Sequence, residues 1–344
     1  MTAQDATAGE AQENTSPLFT LDRTREHLMA VDATIKSCLN WNYGARDNRV
    51  WSLYEKNKVA QWNAATDIDW SHEVRFGEEF SGANGAGVAS FVVGNDSPVP
   101  PSMLTAFRWE YQAWMVNQFL HGEQGALVTT ARLVETVPDL ESKVYAASQV
   151  ADEARHVEAY AQYIDTKLRV TYPVNPGLRA LLVELLSESR WDVVYLGMQV
   201  IVEGLALAAT RLASSGFGDP IITSITRMIA KDEARHVGFG VVALGGMYGQ
   251  MTSAELAERE AFLLEAVHLM SRRFLIREVW ERLDLDVEKG IHFAFHDPMM
   301  FGYRQLLFQQ VIHVLRQLGL LTPKLRDLFL SERLARPEVF RTVA

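Results

Sequence analysis

Asp152-Glu153-Ala154-Arg155-His156 and Asp232-Glu233-Ala234-Arg235-His236 are one pentapeptide written twice, 80 residues apart. Each copy follows a glutamate thirty residues upstream: Glu123 in Gly122-Glu123-Gln124-Gly125-Ala126-Leu127, and Glu203 in Val202-Glu203-Gly204-Leu205-Ala206-Leu207. Both glutamates open the pattern Glu-x-x-Ala-Leu. On a helix, Glu and His at i and i+3 lie about 60° apart around the axis and about 4.5 Å along it, so both reach one ion. Two such pairs, with one Glu from each of two further helices, enclose two ions in the core of a four-helix bundle. The metal ligands read from the sequence are therefore Glu123, Glu153, His156, Glu203, Glu233 and His236. Carboxylates bridge hard cations, and imidazole suits iron while disfavouring calcium or magnesium. Four carboxylates and two neutral imidazoles balance two Fe(II) ions, so the filled cluster is neutral and can be buried; left empty, it would be costly. Two Fe ions are the expected cofactor, with Mn admissible in one or both positions.

Residues near the ligands on the same helices supply the next layer. A metal-bound imidazole donates its other N–H to a carboxylate, so Asp232 is expected to orient His156, and Asp152 to orient His236, across the bundle. Arg155 and Arg235 then balance the aspartates. Positions three, four and seven away from the ligands give a mostly apolar pocket: Phe119, Ala126, Leu127, Thr130, Gln149, Val157 and Tyr160 from the first pair of helices, and Gln199, Ala206, Leu207, Thr210, Ala230, Val237 and Gly240 from the second. Tyr160, Thr130, Thr210 and Gln199 are the candidate catalytic groups.

Composition sets limits around this site. The chain has 344 residues, 48% of them hydrophobic, enough to bury a large core as one domain. Cys38 is the single cysteine, which excludes an internal disulfide and an all-thiolate cluster and points to a reducing cytoplasm. A formal charge of −10 disfavours nucleic acid as a partner. No run approaches eighteen uncharged apolar residues, so no membrane span is expected. Residues 1–20, polar and rich in small side chains, read as a disordered leader, and 21–344 as a single helical domain with its metal-binding core at about 102–248.

Within that domain, helical spacing runs over Leu21–Lys36, and a stretch carrying Trp41, Trp51, Trp62 and Trp70 is expected to wrap the bundle. Gly77–Pro101 reads as an irregular cover. The core helices are expected at Ser102–Val134, Leu140–Val170, Leu178–Ser214 and Pro220–Tyr248. Thr252-Ser253-Ala254-Glu255 has the form of a capping box and starts a helix running to about Leu283. Pro298–Leu320 gives another. These last two read as packing or dimer helices, and a homodimer is expected. His292, His296 and His313 there read as structural.

The ligand motifs resemble the ferritin-like di-iron carboxylate superfamily, in its oxygen-activating branch: multicomponent monooxygenase hydroxylases, ribonucleotide reductase small subunits, ligand-binding oxidases similar to them, and di-iron N-oxygenases. Phe119-Leu120-His121-Gly122-Glu123 is similar to the first ligand helix of that branch and Asp-Glu-x-Arg-His to the second; Gln61-Trp62-Asn63 with Asp67-Ile68-Asp69-Trp70 resembles an N-terminal signature of the reductase-like oxidases. The resemblance implies an all-α, ferritin-like four-helix bundle with additional N- and C-terminal helices, and a di-metal centre that reacts with O2 after reduction. It also shows departures. Leu207 stands where hydrocarbon hydroxylases have threonine, Ala126 and Met198 where ligand-binding oxidases form a valine–tyrosine crosslink, and Ile229 and Ala230 where N-oxygenases have an added histidine.

The expected function is thus a non-haem di-iron oxygenase or oxidase that hydroxylates, N-oxygenates or desaturates a small or carrier-tethered organic substrate. Electrons would come from an external ferredoxin or reductase, since the chain has neither a cysteine set nor a Gly-rich dinucleotide motif. The alternative is a radical-generating protein like the reductase small subunit, motivated by Tyr160 four residues after His156. Iron storage ranks third, because storage chains lack the added terminal helices.

Overall fold

The computed structural model describes residues 28–44, 49–76 and 97–341. The expected leader and most of the expected cover at 77–101 lie outside them. The chain divides into two units, residues 1–32 and 33–344, and the second carries all that follows.

Among the described residues there are helices and no strands. Four long helical runs make the ferritin-like bundle: α2 (Leu104–Thr136), α3 (Leu140–Tyr163, with a π-helical end at Ile164–Leu168), the continuous run α5 (Trp191–Tyr195), π segment (Leu196–Val202) and α6 (Glu203–Gly216), and α7 (Pro220–Leu244). α2 packs on α3, α6 on α7, and α3 on α7 across the middle. Start signals are local. Asp139 accepts from Ser142 N to cap α3, and Asp219 accepts from Ile221 N to cap α7, with Pro220 at its first position. The α5–α6 run has the length and hydropathy of a membrane span, yet 89% of its apolar window is buried by the rest of the protein. It is the bundle's core helix.

α1 (Arg49–Val59) crosses α3 and α7 from outside. α4 (Pro176–Ser187) and α8 (Ser253–Arg273) pack on each other; α9 (Arg277–Arg282), α10 (Val287–His296), α11 (Pro298–Gln317) and α12 (Pro323–Ser331) complete the shell, with α11 against α6. The expected capping box is present: Thr252 accepts from Glu255 N and the Glu255 carboxylate accepts from Thr252 N.

Three expected helices differ from the observed ones. Leu178–Ser214 is broken at Glu188–Arg190, where the Glu188 carboxylate takes Arg190 N at 2.8 Å and the Arg190 side chain at 2.7 Å, replacing helical hydrogen bonds. The helix expected to reach Leu283 stops at Arg273. Ile276 turns left-handed at φ 50°, and Trp280, fully buried, donates to Leu275 O at 2.9 Å. Of Leu21–Lys36, the described part is not helical; just beyond it, the strap binds the corner between α2 and α3 through Cys38 N to Glu135 O at 2.9 Å and Asn40 to Pro138 O at 2.9 Å.

Candidate di-metal centre

Glu123 on α2, Glu153 and His156 on α3, Glu203 at the start of α6, and Glu233 and His236 on α7 converge in the bundle's middle, none more than 5% exposed. Their donor atoms fall into two groups, each within 4.8 Å: Glu123, Glu153, His156 and Glu233, and Glu153, Glu203 and His236. His156 Nδ1 lies 3.1 Å from Glu123, 3.2 Å from Glu153 and 3.4 Å from Glu233. His236 Nδ1 lies 3.2 Å from Glu233, 3.3 Å from Glu153 and 3.6 Å from Glu203. Glu153 and Glu233 thus face both imidazoles, which is the placement a bridging carboxylate needs.

The outer ring nitrogens are held crosswise. His156 Nε2 lies 3.0 Å from Asp232 and His236 Nε2 lies 3.1 Å from Asp152. Burial alone would raise both aspartates, but the imidazole hydrogen bonds outweigh it and hold them below the ordinary carboxylate range. With Nε2–H donated outward to a carboxylate, each Nδ1 lone pair points at glutamate oxygens. That contact is repulsive unless a cation sits between. Glu153 Oε2 and Glu233 Oε1 are buried with no hydrogen-bond donor, as oxygens awaiting such a cation would be. All donors are oxygen and imidazole nitrogen, and they fit two iron or manganese ions.

Without metal, protons take that role. Burial opposes the imidazolium at both histidines, yet Glu123 beside His156, and Glu153 and Glu233 beside His236, raise both pKa values well above the ordinary one. Burial, then the Glu203 charge, raises Glu153 and Glu233, while Glu203 stays low through hydrogen bonds from Glu233 and His236.

The surrounding polar residues take distinct places. Arg155 pairs with Asp152 at 2.5 Å and with Asp232 at 3.5 Å, and Arg235 pairs with Asp232. Gln149 donates to Glu153 at 2.9 Å and Glu203 at 3.0 Å, and Gln199 donates to Gln149 at 3.1 Å. Thr210 bonds back to Ala206 O at 2.8 Å, whereas Thr130 Oγ1 and the Tyr160 hydroxyl are buried without a hydrogen-bond partner. Tyr160 packs on Phe119 at 5.6 Å, and burial, then Glu123, raises its pKa well above that of a free phenol.

Reading by helix periodicity missed the contribution from outside the bundle. After α1, Gln61 donates to Asp152 at 2.9 Å and Trp62 donates its indole N–H to Asp232 at 2.8 Å. Trp62 also stacks on His156 at 6.1 Å, and Arg235 donates to Asn57 at 2.9 Å. The Gln61-Trp62-Asn63 signature was the available signal.

A cavity of about 50 Å³ adjoins the cluster between α2 and α6, closed by the end of α8 and by α11. Of the expected lining it takes Phe119, Ala126, Ala206 and Thr210, with Glu123 and Glu203 at its floor. Thr130, Gln199 and Tyr160 are not on its wall. Arg273, half-buried, contributes a guanidinium that burial lowers to about 10.

No protein-family model matches the chain, and no curated protein matches it. Solved structures similar to it include mutants of an R2-like ligand-binding oxidase. One with an Mn/Fe cofactor shares 18% identity over 80% of this chain and 94% of that chain, at a TM-score of 0.45. Another, with a non-activated Mn/Mn cofactor, shares 17% over 80% and 94%, also at 0.45. A third, with an aerobically reconstituted Mn/Fe cofactor, shares 17% over 87% and 95% at 0.40.

Proposed function

We propose that this chain is an O2-activating di-metal oxidase or oxygenase, with Glu123, Glu153, His156, Glu203, Glu233 and His236 as ligands and Fe/Fe or Mn/Fe as the metals. The observation that carries it is the pair of buried Nδ1 atoms facing shared carboxylates, with both Nε2 atoms fixed from behind. The six ligands would hold two redox-active ions, which would supply two-electron reduction of O2. The chain's own residues do the rest: Asp152 and Asp232 set the imidazole tautomers, Gln149 ties Glu153 to Glu203, and the apolar wall of the adjoining cavity keeps water from a bound organic substrate. Hydroxylation, N-oxygenation or desaturation of a small or carrier-bound substrate, with an external ferredoxin or reductase, is the reading we favour.

The test is metal analysis joined to O2 uptake. Protein made with iron should hold about two ions per chain, and Glu203→Ala or His236→Ala should lose at least one. Chemically reduced protein should consume O2. Unchanged stoichiometry in both variants would sink the assignment.

A radical-storing function like that of reductase small subunits is the second reading. Its support is the buried Tyr160 phenol, whose hydroxyl has no hydrogen-bond partner and which feels the charge of Glu123.

A further inference from the structure

Apart from the metal ligands, the polar groups around the cavity beside the cluster are already engaged, with one exception. Gln118 donates its amide to Pro173 O at 2.9 Å and accepts from Asn175 N at 2.8 Å. The Trp114 indole donates to Glu278 at 3.2 Å, Thr210 bonds back to its own helix, and the Tyr303 hydroxyl lies 3.9 Å from Met115 Sδ and bonds with Tyr111. Arg273 lines the same cavity from the end of α8, and makes no hydrogen bond or ion pair among the described residues. Its Nε is buried without a partner. Nor does it cap the last carbonyls of α8, the usual occupation of a basic residue in a final helical turn.

Compensation for that charge is incomplete. Glu278 acts on it without reaching pairing distance, since one of its carboxylate oxygens takes Asn175 at 2.6 Å and the other the Trp114 indole. Phe274 offers a ring face 5.5 Å from the guanidinium, which attracts a cation but carries no net charge. Burial outweighs the pull of Tyr303 and Glu278 and brings Arg273 down to about 10, so it stays protonated at neutral pH. Glu123 and Glu203 line the cavity too, yet neither is among the charges acting on Arg273, so the cation and the metal-side carboxylates occupy separate parts of the wall. Most of the remaining lining is apolar, with Phe119, Val202, Leu205 and Phe274 among it.

We propose that Arg273 selects the substrate of this site: it grips the carboxylate of a small organic acid whose apolar body lies along the cavity toward Glu123 and Glu203. This rests on the oxidase or oxygenase reading above. A guanidinium fork matches two carboxylate oxygens, and one monoanion neutralises one unpaired cation, where a phosphate dianion would leave a charge over. A carrier-bound thioester offers no such charge, so the free acid is selected over the tethered one. A cavity of about 50 Å³ suits a short chain.

Calorimetric titration of the metal-loaded full chain with butyrate and with butyramide, its neutral isostere, tests this. We expect butyrate to bind at one site per chain, about tenfold or more tighter than butyramide. Arg273→Gln should bring butyrate to the level of the amide with metal content unchanged, and Arg273→Lys, which keeps the charge without the fork, should recover part of the loss. Equal or absent binding of the two probes by the native protein overturns the proposal, whether or not the variants fold. So does butyrate binding undiminished in Arg273→Gln, as direct ligation to the ions would give. Butyrate binding that depends on Arg273, in protein that takes up no O2 when reduced, upholds the carboxylate site and refutes only the oxidase or oxygenase reading.

Discussion

His156 on α3 and Asp232 on α7 are joined at 3.0 Å between Nε2 and Oδ2, and Asp232 also takes the Trp62 indole N–H at 2.8 Å. One carboxylate therefore ties two bundle helices and the segment after α1 to one imidazole. Asp232→Asn keeps the shape but can turn its amide N–H toward the ring, favouring the wrong tautomer. We expect metal affinity to fall about 10- to 100-fold, read by competition with a chelator. Affinity within a factor of two of native would contradict this orienting function.

Trp62→Phe isolates the contribution from outside the bundle. It keeps an aromatic ring near His156 but removes the donor to Asp232. A buried carboxylate that loses a donor costs about 1–3 kcal/mol. Denaturant unfolding of the metal-loaded protein should show a loss in that range, and a loss below about 0.5 kcal/mol would show that water replaces the indole.

The metal-free protein should lose stability as pH rises from about 5 to about 8. His156 and His236 have folded pKa values above their unfolded ones, so their stabilisation is complete below the unfolded value and disappears as pH climbs through the folded one. Glu153 and Glu233 are raised as well and act in the same direction. Asp152 and Asp232 are lowered and weaken the fold only in acid, below this window. Metal displaces the extra protons, so loading should release protons and flatten the slope. Metal-free stability that increases across the window would be incompatible with these shifts.

Tyr160→Phe separates the two functional readings. An oxidase or oxygenase should keep much of its O2 consumption in the variant. A stable tyrosyl signal in the paramagnetic resonance spectrum of the oxygenated protein, abolished by Tyr160→Phe, would favour radical storage instead.

Gly240→Ala on α7 should disturb the site without touching a ligand. A Cβ there would stand 2.8 Å from Gln199 Cβ, the stem of the side chain that holds Gln149. Overpacking of this kind costs about 1–3 kcal/mol, measured as a lowered denaturation midpoint.

The six converging side chains and the crossed aspartates were legible because i, i+3 spacing survives folding unchanged and the repeat marked each residue twice. Thr252 could likewise be read as a helix start, since caps act within three residues. The break at Glu188–Arg190 was not legible. It depends on one carboxylate gripping the next arginine, which periodicity averages away. Nor could helical spacing show that Trp62 would meet Asp232, a partner 170 residues distant. Thr130, Gln199 and Tyr160 were placed near the ligands by register, but their absence from the cavity wall depends on helix rotation, set by packing.

Glu123 and Glu203 open the same Glu-x-x-Ala-Leu pattern, yet Glu123 sits inside an unbroken α-helix and Glu203 follows a seven-residue π segment. A wider turn before one of two repeated ligands shifts its register against its twin. The repeat in sequence is thereby not an exact repeat in space: Glu123 lies 3.1 Å from His156 Nδ1, whereas the matching Glu203 stands 3.6 Å from His236 Nδ1. The two half-sites therefore differ in shape, and two ions held there would meet unlike surroundings.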